Sequence, residues 1–446
     1  MSGPAPAPAG EKRLAFMLRA LKYRNYRLFF GGQIVSLVGN WMTSVATSWL
    51  VYRLTGSAWM LGVIGFAGQI PAFLLAPFAG IMVDRVNKHR LLVITQTLAM
   101  IQSFALAALT LGGRATIGGL IVLNVVDGVI TAFDMPLRQA FVVEMIEDKR
   151  DLGNAIALNS SMVNAARLIG PALGGAVIAM AGEGWCFLLD GASFIAVILA
   201  LLAMRVPAVP PRPRHAGGAL AEMREGWVYV SRSVPIRSII ALLALVSLVG
   251  VPYTVLIPLY AGNILNGGPH TLGLMMTATG TGALAGAIWL ASRRSVLGLG
   301  RVIPISAAVF GLGLAAFAWS TTLWLSLPLL VLTGAGFMTQ MASSNTIVQT
   351  IVDDDKRGRV MSFFMMAFLG TAPFGSLLAG SMAERYGAPR TLVFGGVCCL
   401  AGAAWFARGL EDIRAAVRPI YRRMGILPQV ASAVETSGRL TFETRD

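Results

Sequence analysis

The chain has 446 residues, of which 56% are hydrophobic and 13% charged, and it carries a formal net charge of +15. Soluble domains hold roughly 25% charged residues, so this much apolar surface needs lipid around it, and a soluble multidomain enzyme is excluded. A basic nucleic-acid binder gathers its charge on one domain or face; here Lys and Arg recur at intervals along the whole chain, and no nucleic-acid partner is expected.

Residues 1–27 are rich in Pro, Lys and Arg and lack a small-residue cleavage pattern, which argues against a removable signal peptide. A helix needs roughly 20 apolar residues to cross the hydrocarbon core. Apolar runs and the breakers between them predict spans at 28–52, 57–82, 91–111, 117–136, 155–181, 185–204, 236–260, 271–291, 302–320, 323–345, 360–381 and 391–407. With the first segment inside, the connections after even-numbered spans face the cytoplasm. Those connections hold nearly all the basic residues, in clusters at Lys12 to Arg27, Arg85 to Arg90, Lys149 and Arg150, Arg205 to Arg237, Arg293 to Arg301, Lys356 to Arg359, and the tail. The opposite connections hold Arg53, Arg114, Arg385 and Arg390, so the asymmetry follows the positive-inside rule and puts both termini in the cytoplasm.

The longest connection, 205–235, opens with Pro207, Pro210, Pro211 and Pro213 and continues as ALAEMREGWVYV, an amphipathic pattern suited to a membrane surface. It divides the chain six spans from six. Placing EDKR at 147–150 on DDKR at 354–357 sets Gly80 against Gly286 at nearly the same offset, as two parallel related halves would. The expected fold is therefore an all-α polytopic membrane protein of twelve transmembrane helices in two pseudo-symmetric six-helix halves. Its segments are a cytoplasmic start (1–27), a first half (28–204), a linker (205–235), a second half (236–408) and a cytoplasmic tail (409–446).

The connection after the second span, Gly80-Ile81-Met82-Val83-Asp84-Arg85-Val86-Asn87-Lys88, resembles the major facilitator signature G-x-L-A-D-R-x-G-R-K at Gly80, Asp84, Arg85 and Lys88. A glycine there lets two helices approach, and an acid can pair with a base and with a helix N-terminus. The resemblance implies a conformational latch on the cytoplasmic side, formed by these four residues and Arg138. In the second half Leu290 stands where Asp84 does, so the latch belongs mainly to the first. The fifth span contains Arg167-Leu168-Ile169-Gly170-Pro171-Ala172-Leu173-Gly174-Gly175 and resembles the G-x-x-x-G-P-x-x-G-G signature of antiporters in the same superfamily, with Ala166 in place of its first glycine. Pro removes a donor and Gly permits close packing, so Gly170, Pro171, Gly174 and Gly175 mark a place to expect a bend.

The runs YRNYRLFFGGQIVSLVGNWM, LVYRLTGSAWMLG, RLIGPALGG and FLLDGASF are similar to the secretion-type exporters of that superfamily, the branch of the enterobactin and macrolide exporters, over about residues 20–410. That likeness implies a bacterial inner-membrane protein that exports a small amphipathic molecule, siderophore- or drug-like, against a proton gradient and by alternating access. Many proton-coupled relatives place an Arg in the fourth span three residues before a Gln-Gly pair. Here those positions hold Asn124, Asp127 and Gly128, so that Arg has no counterpart.

Asn124, Asp127, Thr131, Asp134 and Arg138 follow one another at steps of three and four and share one face of the fourth span. Ionisable groups in a membrane are costly and by default functional. Asp127, near mid-span, is the first candidate for the coupling proton, with Asp134 and Asp190 behind it. Arg167 falls at similar depth in the fifth span, where it would either pair with Asp127 and set its pKa, or form a static ion pair that only fixes packing. Asp190, near the outer end of the sixth span, is read as a second protonation site or as an interfacial acid in reach of water. Gln33 and Asn40 lie in a polar stripe of the first span with Ser36, Thr43 and Thr47, and with Asn124, Asn164, Tyr253 and Gln340 they either line a central cavity or bond neighbouring helices. Met and aromatic residues of the second half would let a cavity repack around an amphipathic ligand.

No G-x-x-x-x-G-K-[ST] loop is present, so nucleotide is not the direct energy source. His89, His215 and His270 sit in connections, and Cys186, Cys398 and Cys399 have no metal-ligand spacing; neither a hydrolase constellation nor a metal site is expected. The expected partners are the bilayer and a small-molecule substrate, the chain is expected to act as a monomer, and no cofactor beyond the proton gradient is implied. An importer or uniporter of the same fold, or a non-transporting receptor, are the rival readings.

Overall fold

The computed structural model describes residues 18–83, 86–205, 219–293, 295–353 and 355–424. Twelve of its helices are long and apolar enough to cross a membrane. In chain order the first six are α1 (Arg24–Thr55), α2 (Ala58–Val83), α3 (Lys88–Leu111), α4 (Ile117–Met145), α5 (Leu152–Ala181) and α6 (Glu183–Leu202). After a short helix α7 (Ala219–Arg232) come α8 (Val234–Ile264), α9 (Pro269–Ala291), α10 (Leu299–Ala318), α11 (Leu323–Ile351), α12 (Arg357–Tyr386) and α13 (Ala388–Arg408), and then the tail helix α14 (Leu410–Arg423).

Most termini of the sequence expectations hold to within a few residues, because the breakers that set them act locally; the exceptions are α4, α11 and α12, which run on to Met145, Ile351 and Tyr386 where the sequence predicts ends at 136, 345 and 381. Gly56, Gly182 and Gly387 take positive φ in the tight connections that follow α1, α5 and α12, a conformation glycine enters without a Cβ clash. Asn87 caps α3 by accepting from the Arg90 backbone N–H at 3.0 Å, and Thr116 caps α4 by accepting from Gly119. Irregularities within a helix come in two of the spans that contain proline, while Pro136, Pro304 and Pro328 lie inside unbroken helices. Around Pro252 and Pro258, α8 opens into wide turns of π-helical pitch at Val246–Gly250 and Tyr260–Ile264, and α12 is interrupted at Gly370 and Thr371 ahead of Pro373. The bend expected at Pro171 does not interrupt α5, which continues from Leu152 to Ala181.

Packing repeats between the halves. α2 packs on α4 as α9 packs on α11, α3 on α6 as α10 on α13, and α1 on α6 as α8 on α13. Two further contacts cross between the halves and are each other's symmetry mates: α5 against α9, and α12 against α2. These are the glycine-rich helices. Gly175 and Gly273 face each other so closely that a Cβ on Gly175 would stand 3.0 Å from the Gly273 Cα, and a Cβ on Gly62 would stand 3.0 Å from the Gly380 Cα. Such approach is how helices associate where lipid removes any hydrophobic drive.

Both contacts lie toward the face opposite the chain termini. Hydrogen bonds at the same face join the halves from Tyr52 to Asn263 at 2.5 Å and from Ser57 and the Trp59 backbone to Glu384 at 3.0 and 3.1 Å. Toward the termini-bearing face, α5 instead exposes Ile156, Ala157, Ser160 and Ser161.

That face carries two clasps. In the first half, Arg19 and Lys22, just before α1, pair with Asp151 at 3.0 and 2.6 Å, and the Tyr23 hydroxyl donates to the same carboxylate. In the second half, Glu225 of α7 pairs with Lys356 and with Arg359 at 2.6 Å, while Trp227 packs on Phe363. The tail helix lies alongside, with Ile413, Val417 and Tyr421 buried at steps of four.

Candidate functional site

On the polar face of α4, Asp134 and Arg138 turn into the first half. Asp134, 3% exposed, accepts from Thr95 Oγ1 at 3.0 Å and Gln96 Nε2 at 2.7 Å and is ion-paired to Arg138 one turn on. Arg138 in turn donates to Gln33 Oε1 at 2.9 Å. An acid with a base and two donors around it is a compensated charge that ties α1, α3 and α4 together. Asp134 is thus committed to this network, and Gln33, 1% exposed, sits inside the half instead of on a cavity wall. The latch residues divide: Arg138 holds Asp134, and Lys88 holds Glu144 at 2.6 Å across the ends of α3 and α4. Gly80 falls within α2, and Asp84 and Arg85 lie outside the described residues.

Asp190 departs from the reading as a water-accessible interfacial acid. It is 1% exposed and wedged between α1, α3 and α6, where one oxygen accepts from Thr43 and Ser103, each at 2.9 Å. Its other oxygen has no hydrogen-bond partner and lies where only a glycine fits, since a Cβ on Gly39 would stand 2.5 Å from it. The polar stripe of α1 therefore serves the interior of the half, through Gln33 and Thr43, and the side of α1 next to α5 carries Trp41.

Asp127 and Arg167 do not pair. Asp127 is exposed and makes no hydrogen bond or ion pair to the described residues; Asp134, Arg138 and Asp190 are the charges within its electrostatic range. Arg167 lies against α9, where a Cβ on Gly280 would meet its backbone oxygen at 3.0 Å, and its guanidinium carbon sits 5.3 Å from the centre of the Trp41 ring. The physical reason for the separation is azimuth. α4 packs on α2 and α3 whereas α5 packs on α1 and α9, so equal depth along the two helices does not bring their side chains together.

The antiporter-like segment of α5 packs in two directions at once. Gly170 rests on the Trp41 Cβ and the Val38 backbone and Gly174 on the Met42 backbone of α1, while Pro171 and Gly175 meet Gly273 of α9. One turn toward the termini, Arg167 occupies the junction of α1, α5, α8 and α9. Tyr253, which follows the first wide turn of α8, is within its electrostatic range and beside the Thr279 hydroxyl. The remaining expected cavity residues behave differently. Asn124 and Asn164 donate to backbone oxygens one turn earlier in their own helices, Asn40 is half-buried, and Gln340 is fully buried within the second half, where its Nε2 reaches Ser344 Oγ at 3.4 Å. Trp41 was missed because an aromatic residue in an apolar span looks like any lipid-facing one. Among the described residues no three His, Cys, Asp or Glu side chains gather where they could hold a metal.

Twelve spans in two alike halves, meeting across paired glycine helices around a polar junction at membrane depth, define a multi-pass membrane transporter of the major facilitator fold. The chain belongs to the transmembrane secretion effector family of that superfamily, whose family model matches residues 17–424. It is similar to the staphyloferrin A transporter of Staphylococcus aureus, with 28% identity over 83% of this chain and 92% of that one. It is also similar to the multidrug efflux pump Tap of Mycolicibacterium fortuitum, with 26% identity over 80% and 88% of the two chains. A solved POT family transporter in complex with 5-aminolevulinic acid shares the fold, with a TM-score of 0.72 at 10% identity over 87% of this chain and 96% of that one. The protein is a transporter and not an enzyme.

Proposed function

We propose that the protein exports a small amphipathic molecule in exchange for protons, by alternating access of its two halves. The observation that carries this reading is two membrane-depth charges with neither an ion pair nor a hydrogen bond among the described residues: Asp127, exposed on α4, and Arg167, at the junction of the halves. Structural charges in a membrane are matched, as Asp134 is by Arg138, so unmatched ones suit binding and release. The similarity to the staphyloferrin A transporter and to the multidrug efflux pump Tap supports export.

In this reading the termini-bearing face is cytoplasmic, in the inner membrane of a bacterium, and the structure corresponds to the state open to the cytoplasm. Substrate enters between the halves from that side while the glycine contacts seal the other. Rocking then separates Gly175 from Gly273 and Gly62 from Gly380, and Asp127 takes a proton from the far side and gives it up inside. The chain works as a monomer, with the proton gradient as its energy source and no bound cofactor.

Uptake into inverted membrane vesicles tests the proposal, with a panel of siderophores and amphipathic drugs and an imposed proton gradient that can be collapsed. Gradient-dependent accumulation that Asp127→Asn abolishes is the expected result. Accumulation indifferent to the gradient would move the function to facilitated diffusion, and accumulation with unchanged pH dependence in Asp127→Asn would remove that residue's role.

A further inference from the structure

We propose that Arg167 is the anchor for an anionic group, a carboxylate, on the transported molecule, which narrows the substrate class to amphipathic acids; the inference rests on the transport reading above. Arg167 makes neither a hydrogen bond nor an ion pair to any described residue, and its Nε is buried without a partner. A guanidinium is never deprotonated in practice, and holding one at membrane depth without an anion is costly; Arg167 is half-buried, with Nε enclosed and the outer edge of the guanidinium left open to a ligand. Elsewhere at membrane depth this chain avoids that cost by pairing Arg138 with Asp134. Among the described residues, what faces the Arg167 guanidinium is the ring of Trp41, 5.3 Å from the guanidinium carbon, a cation–π contact that covers one side of the plane, with Tyr253 within electrostatic range, and neither supplies an anion to the donor edge.

The setting fits a ligand group better than a packing device. Arg167 stands where α1 and α5 of one half meet α8 and α9 of the other, one turn from the contacts that close the opposite face. An anion bound there touches both halves. Tyr253 adds a hydroxyl from α8, and Trp41 adds an apolar wall for the body of an amphipath. One guanidinium balances one carboxylate, with its planar fork matching both oxygens. Arg167 then acts as a binding residue, and Asp127, which makes no ion pair with it, remains free for the proton.

The test is equilibrium binding to the purified full chain in detergent, using 2-naphthoate and 2-naphthamide, which match in size and differ in charge, with glycerol phosphate as a third probe. Charge-assisted hydrogen bonds predict a preference of roughly tenfold or more for the acid over the amide. Arg167→Gln is expected to remove that preference and Arg167→Lys to keep part of it, whereas a merely structural Arg would leave the acid-to-amide ratio unmoved. Equal binding of acid and amide by the unaltered protein overturns the proposal without any variant having to fold. Tighter binding of glycerol phosphate than of the acid overturns it in favour of a lipid headgroup site. Binding requires no gradient, so a failure of proton coupling in vesicles and a failure of acid recognition in detergent are read separately.

Discussion

Replacing Gly175 by Ala places a methyl group where the two halves touch. Its Cβ would lie 3.0 Å from the Gly273 Cα and 2.7 Å from the Pro269 carbonyl oxygen, both backbone atoms that no rotamer change can move aside. Carbon atoms rest about 3.5–4.0 Å apart, so α5 and α9 must separate by about 0.5–1 Å. Overpacking of this kind costs about 1–3 kcal/mol. The cost falls only on the conformation in which these helices meet, so it shifts the equilibrium toward opening of that face by roughly five- to 150-fold. A short bifunctional thiol reagent reads the shift between Tyr52→Cys and Asn263→Cys, whose parent side chains hydrogen-bond across the halves, in a background with Cys186, Cys398 and Cys399 changed to Ala. Cross-linking is expected to fall markedly in Gly175→Ala, and again in Gly62→Ala at the symmetric contact. Unchanged cross-linking in a folded Gly175→Ala protein would refute the argument that glycine approach holds this face shut.

Arg138→Ala leaves Asp134, 3% exposed, without its base, and a loss of about 3–5 kcal/mol is expected in chemical denaturation; adding Asp134→Asn should recover most of it. Asp190→Leu strands the Thr43 and Ser103 hydroxyls and should cost about 1–3 kcal/mol, while Asp190→Asn, which keeps an acceptor, should cost less; equal losses would show that the hydrogen bonds are not what matters. The α7 clasp is expected to depend on pH at both extremes. The Lys356 ammonium hydrogen-bonded to Glu225 holds that carboxyl below its usual range, so the stabilisation is full above the ordinary Glu range and is lost as acid protonates it. The same bond raises Lys356, so its contribution is present below the ordinary Lys range and lost as alkali removes its proton. The protection of the α7 amides against hydrogen exchange, taken relative to the intrinsic rate at each pH, should therefore be greatest near neutrality and fall on either side, and Glu225→Gln should flatten that profile.

The spans were legible because lipid imposes a length and a composition on each of them independently of its neighbours. Asp134 and Arg138 were legible as neighbours for a similar reason, since a step of four on one helix fixes their meeting. What the pattern left open depends on which way a helix is turned. Gln33 and Gln340 have the same sequence signature whether they face a cavity or a packed interior, and both are buried. Asp190 sits a few residues from a helix end, yet three helices cover it. Arg167 was singled out from its position in the span, but its stacking on Trp41 and its distance from Asp127 follow from which helices adjoin α5.

The two clasps at the termini-bearing face are opposite in polarity. Before α1 the cations Arg19 and Lys22 meet an acid at the start of α5, whereas ahead of α8 the acid Glu225 meets cations at the start of α12. A chain built from two look-alike halves faces the hazard that a lead-in segment docks on the wrong bundle as it emerges. The reversal of sign makes that mistake self-correcting: the first lead-in offered to the second bundle would set cation against cation, and the second offered to the first would set Glu225 against Asp151. A swapped lead-in would lose these ion pairs, which favours each bundle's own.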